Sequence, residues 1–253
     1  MSVTGFSKTQ WAKMPCGWQT DPMVHLLINQ MPAGQAIAAL KIYIGLVCRA
    51  AYSKRADLPA PGCARLTLSA LCELLGLSRP MVVAGIRGLR ELELIEVVEK
   101  RPAVYRLANF ETCEYWAKLP SGYLYGADSM RKLFKIADLS NRSGTTVHAL
   151  QLYLYLASVR DRHTLKATVS YTHMDDTLCL TRNEVSRGVS VLVAHSLVGV
   201  RQGDPDPTTK RRPANVYWLL GRVGARGEED LLGPDDETVA AGAVTQAPKI
   251  ITV

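Results

Sequence analysis

Apolar side chains between positions 169 and 200 follow the spacing of two short helices and then a strand. The second helix carries an apolar stripe at the helical spacing i, i+4 and i+7, formed by Val185, Val189 and Leu192. Thr172 with Asp175, and Thr181 with Glu184, have capping-box spacing, so a helix is predicted to begin at each threonine. Because helices this short cannot bury their apolar faces against each other alone, the pattern predicts a helix-turn-helix covered by a third element.

The same pattern occurs earlier, from position 65 to position 98, and a shift of 103 residues superposes the two stretches. Further blocks match in the same order along the chain: 39–43 with 149–153, 11–18 with 116–123, and 104–107 with 216–219. This order predicts an internal duplication of a unit of roughly 105 residues, near the usual size of a domain.

Each unit is predicted to contain a long apolar helix, the helix-turn-helix and a two-stranded hairpin. The first unit is predicted to begin with a short helix at 23–31. Counted from the long helix, its first helix lies at 37–52, its second at 68–75 and its third begins at Ser78, and a hairpin then joins 94–98 to 103–107. The predicted segments of the second unit are a short helix at 130–139, a long helix at 147–160, the helix-turn-helix, and a hairpin joining 199–201 to 216–220. The predicted fold class is mainly α with small β-hairpins (α+β), in two tandem units.

The length of 253 residues allows two domains, predicted at 1–110 and 111–221, followed by a flexible acidic tail at 222–253. Three basic and six acidic residues give this tail a net charge of −3. Since the whole chain has a net charge of +7, residues 1–221 carry +10. A basic body favours a polyanionic partner such as nucleic acid, although solubility alone explains such a charge equally well.

No sequence motif indicates catalysis. The phosphate loop G-x-x-x-x-G-K-[ST], H-E-x-x-H and G-x-S-x-G are all missing, and the S-x-x-K spacing at 129–132 lacks its partner motifs. The six cysteines are never closer than nine residues, which excludes C-x-x-C sites and predicts reduced, buried thiols. No apolar run approaches the ~20 residues of a membrane span, and the first residues lack an apolar segment. We therefore expect no enzyme, cofactor, metal or membrane, and a cytoplasmic location on nucleoid or plasmid.

The outward faces of the third helices hold the candidate binding residues, because exposed side chains near a helix start can meet base edges in a major groove. In the first unit, burial of Val82, Ile86 and Leu89 places Arg87 on the opposite face of the helix, with Arg79 and Arg90 flanking the core. In the second unit the outward residues are Arg182, Asn183, Arg187 and Ser190. Arginine can bond guanine, and asparagine adenine, through two hydrogen bonds worth ~1–3 kcal/mol of discrimination. The alternative interpretation is that these side chains only solvate amphipathic helices.

The predicted hairpins are basic at their tips, which carry Lys100, Arg101, Lys210, Arg211 and Arg212. Such side chains contact phosphate and supply affinity more than sequence choice. Aromatic residues also recur at matching places, at Trp11, Trp18, Trp116 and Tyr123. These rings could stack on bases of a single strand, but their repetition beside Pro and Gly favours a packed strand and turn at the start of each unit.

A long helix, a helix-turn-helix and a hairpin together resemble a winged-helix domain. Over residues 11–221 the chain resembles the two-winged-helix replication initiators and regulators of plasmids and phages. The resemblance rests on this architecture and on the stretches KIYIGLVCRA, LQLYLYLASVRDR, LCLTRNEVSRGVSVLVAHSL and KRRPANVYWLL. It implies two winged helices in successive grooves of a repeated or palindromic site at an origin or promoter, and exchange between monomer and dimer. The long helix that links the domains of a typical initiator has no clear counterpart here.

The resulting expectation is sequence-specific binding of double-stranded DNA with two half-elements, by a transcriptional regulator or replication initiator of a plasmid, phage or other mobile element. The chain is expected to form a homodimer in some states. A tandem winged-helix module that recruits protein in a chromosome or partition complex, and binds DNA only non-specifically, stays open as the alternative.

Overall fold

The computed structural model describes residues 11–125, 131–202 and 214–221, and within these ranges the protein is mixed α/β with small antiparallel sheets. Its helices are α1 Pro22–Gln30, α2 Ala33–Arg49, α3 Leu68–Leu75, α4 Arg79–Glu91, α5 Ser121–Tyr125, α6 Phe134–Ala137, α7 Gly144–Val159, α8 Tyr171–Leu178 and α9 Arg182–Ala194, with a 3-10 turn at Trp18–Thr20. Its strands are β1 Ala12–Pro15, β2 Cys63–Arg65, β3 Ile95–Lys100, β4 Ala103–Leu107, β5 Trp116–Leu119, β6 Lys166–Val169, β7 Val198–Arg201 and β8 Asn215–Leu219.

The order of elements is the same in the first half of the chain, residues 11–110, and in the second half, residues 111–221. The series α2-β2-α3-α4-β3-β4 recurs as α7-β6-α8-α9-β7-β8. The sheets have matching antiparallel orders, β2-β4-β3 and β6-β8-β7, so each hairpin gains a third strand that was not predicted. These short third strands carry too few residues for a period-2 pattern to identify them.

Most predicted elements are confirmed. Helix α3 has the predicted bounds, the hairpins β3-β4 and β7-β8 form, and α1, α2 and α7 lie within a few residues of their predicted positions. The short helix predicted at 130–139 is smaller, because α6 covers only Phe134–Ala137. The predicted acidic tail and the tip of the second hairpin lie outside the described residues, and the domain boundary near residue 110 stays a prediction.

One of the two predicted capping boxes forms. Thr181 and Glu184 exchange bonds, with the Thr181 N–H donating to Glu184 Oε2 at 2.7 Å and the Glu184 N–H donating to Thr181 Oγ1 at 3.4 Å. The box predicted at Thr172 is wrong. Helix α8 begins earlier, at Tyr171, because the Ser170 hydroxyl accepts from the His173 N–H at 3.2 Å and thereby satisfies one of the first free N–H groups of the helix.

The turn between α3 and α4 bends the chain by 101°. Gly76 makes this turn in the left-handed conformation (φ 62°), and Cys179 does so at the equivalent place after α8 (φ 51°). An angle near 90–120° over a short turn containing glycine is typical of a helix-turn-helix. Cys179 is therefore exposed at a helix end, contrary to the prediction of a buried thiol inside a helix.

Glycines allow the third helix of each half to approach the long helix closely. A Cβ at Gly85 of α4 would lie 2.7 Å from the Ala38 carbonyl carbon of α2, and one at Gly188 of α9 would lie 2.6 Å from Leu152 Cδ1 of α7. The shift of 103 residues places Gly85 on Gly188. Since real Cβ contacts stay beyond 3.0 Å, only glycine fits at these crossings without movement of a neighbour.

The long helices form the centre of the molecule. Helices α2 and α7 pack against each other and are buried over most of their length, and one hydrophobic cluster includes residues of both halves. No single helix of the described residues is long and apolar enough to cross a membrane, and among them α3 and α4 have that length and composition only as a pair bent by 101°.

Candidate nucleic-acid interface

Helix α9 presents a polar outer face opposite its buried stripe. Val185, Val189 and Leu192 are buried as predicted. The candidate residues on the other side, Arg182, Asn183, Arg187 and Ser190, are all exposed. Among the described residues no carboxylate lies within 4.0 Å of Arg182 or Arg187, so neither guanidinium is held in an ion pair.

Two side chains of this helix are constrained by neighbours. The Ser190 hydroxyl donates to the Ser186 carbonyl at 2.9 Å, so towards a ligand it is an acceptor rather than a donor. The Arg182 guanidinium lies 5.7 Å from the centre of the Tyr171 ring, a cation–π arrangement that directs it beside the start of α8. Glu184 is half-buried within the cap. Hydrogen bonds from Thr181 lower the pKa of this carboxyl, so it stays engaged at the helix start.

Helix α4 also exposes its three candidate arginines. Arg87 Nε lies 3.7 Å from Glu91 Oε1, and both side chains are more than half exposed. An exposed i, i+4 pair of this kind contributes only ~0.3–0.5 kcal/mol, so Arg87 is free to exchange this partner for a phosphate or a base. Arg90 instead borders a groove lined by three basic and three acidic side chains, so its surroundings are of mixed charge.

Only one outward residue is common to both third helices. The shift of 103 residues places Arg79 on Arg182, each at the first position of its helix. The next outward positions differ, with Ala84 of α4 opposite Arg187 of α9, and Arg87 of α4 opposite Ser190 of α9. The outward faces of α4 and α9 can therefore make one contact to a ligand in common, through Arg79 and Arg182, and differ in their other contacts.

The first hairpin concentrates its positive charge at the tip. Glu96 pairs with Arg106 directly across the strands, and Glu99 lies 3.5 Å from Arg65 on β2, so both carboxylates of the hairpin have a cationic partner. Lys100 and Arg101 at the tip are exposed, and within residues 11–125, 131–202 and 214–221 neither forms an ion pair. The matching candidates Lys210, Arg211 and Arg212 lie outside the described residues.

The matched tryptophans are packed against other aromatic side chains. Strands β1 and β5 pair, and the Trp11 and Trp116 rings stack on each other at 5.7 Å between centres and 21° between planes. Trp18 meets Tyr43 edge to face at 5.2 Å. Because these rings already contact each other, the prediction of a packed strand and turn is confirmed, and stacking on single-stranded bases lacks support.

A histidine lies at the junction of the second candidate helix and its supporting helix. His148 Nε2 of α7 is 3.9 Å from Glu184 Oε1 of α9. Burial lowers the pKa of His148, which favours the neutral ring, although the Glu184 carboxylate acts in the opposite direction. No group of three or more potential metal-ligating side chains occurs in the part of the chain that the structure describes. The candidate interface thus consists of the exposed arginines of α4 and α9, Asn183 and Ser190 on α9, and the basic tip of the first hairpin.

Comparisons with protein-family models, with curated proteins and with solved structures find no match to this chain.

Proposed function

We propose that this protein binds double-stranded DNA through two winged helix-turn-helix units that arose by internal duplication. Helices α4 and α9 enter successive major grooves, and the hairpin tips contact the flanking backbone. The observation that carries the proposal is the recurrence of one order of elements and one sheet order, with the third helix of each half exposing arginine on the face opposite its buried stripe. The bend of 101° between α3 and α4 supports it.

The proposed role is regulation of transcription or initiation of replication on a plasmid, phage or other mobile element, in the cytoplasm and without catalysis. Positive charge on residues 1–221 supports a polyanionic partner, because it attracts phosphate over a Debye length and speeds encounter. Sequence choice comes from the third helices, since only base edges distinguish one duplex from another.

The spacing of the DNA site tests simultaneous docking of both helices. Two helices in successive major grooves are ~34 Å apart, so the half-elements lie about ten base pairs apart. Gel shifts with a bound site whose half-elements are moved apart by about five base pairs should show a large loss of affinity, because the second element then lies on the opposite side of the duplex. Equal affinity for the two duplexes would rule out simultaneous docking.

Substitution on α9 tests the role of the individual arginines. Replacing Arg182 and Arg187 with alanine should abolish preference for one half-element, because each bidentate pair with a base supplies ~1–3 kcal/mol of discrimination. Arg55→Ala is the matched control, because Arg55 is exposed in a loop before β2, where it pairs with Asp57 at 2.9 Å. An equal effect of the control would indicate that only net charge matters.

One observation favours the second candidate function, recruitment of a protein partner by a tandem winged-helix module. Helix α1 exposes an apolar stripe at the spacing i, i+3 and i+4, formed by Met23 (60% exposed), Leu26 (40%) and Leu27 (43%). Such a stripe suits a helical or strand partner. The two functions differ in sequence dependence, since a recruiting module binds a scrambled duplex as well as its site, whereas a regulator prefers the site by ~10³-fold or more.

A further inference from the structure

The contacts between the two halves are reciprocal. In the antiparallel pair of β1 and β5, Lys13 lies directly opposite Lys118. These lysines are equivalent under the shift of 105 residues that superposes 11–18 on 116–123. Lys118 Nζ lies 5.1 Å from the Trp11 ring centre, and Lys13 Nζ lies 5.9 Å from that of Trp116. Each half therefore makes the same contact to the other, with the centre of the strand pair between the lysines.

Helix α3 of the first half and helix α8 of the second half are each capped by an asparagine of the other half. Asn29 of the first half donates to the carbonyls of Leu178 and Cys179 at the end of α8, at 3.1 Å each. Asn141 of the second half donates to the Gly76 carbonyl at the end of α3, at 2.9 Å. Gly76 and Cys179 are equivalent left-handed helix caps, so each half caps the same helix end of the other half, although the two asparagines do not themselves occupy matching positions of the sequence.

The long helices repeat this exchange through one equivalent buried polar position. Lys41 of α2 donates to the carbonyl of Leu139 at 2.7 Å and to Asn141 Oδ1 at 2.8 Å, both in the second half. Gln151, which stands at the matching position of α7, lies 3.1 Å from His25 Nδ1 in the first half. The segment before each long helix thus packs on the other half, as the packing of α1 on α8 and of α6 on α3 also shows.

In the lysine–tryptophan contacts of β1 and β5, residue i meets j while the equivalents of i and j meet in return, which is the pattern of an isologous interface around a two-fold axis. We infer that an approximate two-fold axis passes between Lys13 and Lys118 and relates α4 to α9, and that the DNA site is an imperfect inverted repeat. This inference rests on the proposed function. The strands of a duplex are themselves related by two-fold axes, so a two-fold protein meets the same base order on opposite strands. A direct repeat requires units related by translation, which reciprocal contacts exclude.

The repeat is imperfect because the two third helices share one outward residue. Arg79 and Arg182 occupy equivalent first positions and contact equivalent places in the two half-elements. At the position of Arg187 in the second half, the first half has Ala84, and at the position of Ser190 it has Arg87. The two half-elements are therefore alike at the position that Arg79 and Arg182 contact, and unlike elsewhere.

Selection from a random duplex library tests the orientation. The probe is a pool of duplexes with about 30 random base pairs, long enough for two half-elements a helical turn apart, bound to the full chain at low salt and sequenced after several rounds. Enrichment of two related elements in inverted order supports the inference. Enrichment in direct order, or of one element only, overturns it and leaves DNA binding intact. No enrichment of any sequence overturns the proposed function, and the inverted repeat with it.

Arginine variants identify the shared position. Arg79→Ala and Arg182→Ala should each reduce the preference for one base pair of the site by about tenfold or more. The two base pairs should lie in different half-elements, at positions related by the two-fold axis. Both side chains are exposed, so neither change should affect folding, and Arg55→Ala is again the control. Loss of preference at places that no two-fold axis relates would contradict the inference, even if an inverted repeat were selected.

Discussion

Replacing Gly85 with alanine places a methyl group at the closest approach of two helices. Its Cβ would lie 2.7 Å from the Ala38 carbonyl carbon and 2.8 Å from the Ala39 nitrogen, both in the backbone of α2. Carbon contacts are most favourable near ~3.5–4.0 Å, so the helices must separate by more than half an ångström. Overpacking of this kind costs ~1–3 kcal/mol, and alanine recovers ~1 kcal/mol of helix propensity. Because both clashing atoms are backbone, we expect the upper end of the cost and a net destabilisation of ~2 kcal/mol.

Two other glycines calibrate this value. At Gly188 the closest atom, 2.6 Å away, is the end of the flexible Leu152 side chain, while backbone stays at 3.3 Å, so Gly188→Ala should cost less than Gly85→Ala. At Gly34 in α2 nothing lies within 4 Å, so Gly34→Ala should leave stability unchanged or raise it by up to ~1 kcal/mol. Urea unfolding followed by circular dichroism gives all three values. If Gly85→Ala were as stable as Gly34→Ala, α4 would not pack on α2 as described.

Three further predictions concern charge and burial. Replacing Lys100 and Arg101 together with alanine should lower the affinity for all DNA sequences alike. Titration at several salt concentrations should show that the slope of log Kd against log salt concentration falls by about two. An unchanged slope would exclude this hairpin tip from phosphate contact. Lys41→Met should destabilise the protein by ~2–4 kcal/mol, because buried carbonyls lose their hydrogen-bond donor. Lys41→Gln keeps a donor and should retain more stability in thermal melts. Equal melting temperatures for Lys41→Met and wild type would refute this. Burial lowers the pKa of His25, so the unfolded chain takes up the proton first, and the free energy of unfolding should fall as the pH drops below about 6.5, the ordinary histidine pKa. His25→Gln should flatten that decline, and His163→Gln, at an exposed position, should not.

The helix-turn-helix was predictable because its determinants are local. The bounds of α3 and the box at Thr181 depend on residues within one or two turns of each other. The first hairpin was indicated by alternating or β-branched residues in its two strands. The exposure of the candidate arginines also followed from helical period alone. Local patterns carry such information because capping and amphipathicity are interactions over three or four residues.

The exchange between halves was not predictable in this way. Asn29 lies 149 residues from Leu178, and no spacing rule joins an asparagine to a helix end that far along the chain. The start of α8 was misplaced because Ser170 and Thr172 both have a suitable hydroxyl, and only the backbone decides between them. One further feature was visible in the sequence, since Gly85 and Gly188 coincide under the shift of 103 residues and a repeated glycine inside a helix indicates close packing.

A two-fold arrangement inside one chain has a consequence that a dimer of identical subunits cannot share. In a symmetric dimer both recognition surfaces change together, so the two half-sites are always read by identical faces. Here the halves are joined covalently, which makes their association intramolecular and frees each half to change by itself. The contacts at the axis keep their character, lysine opposite lysine and asparagine on each helix end, because changing one alone would leave carbonyls or rings without a partner. The outer faces have no such constraint, and they differ at all but the first position. For the proposed DNA site, unlike faces on a two-fold frame imply an imperfect inverted repeat, in which the left half-element differs from the right.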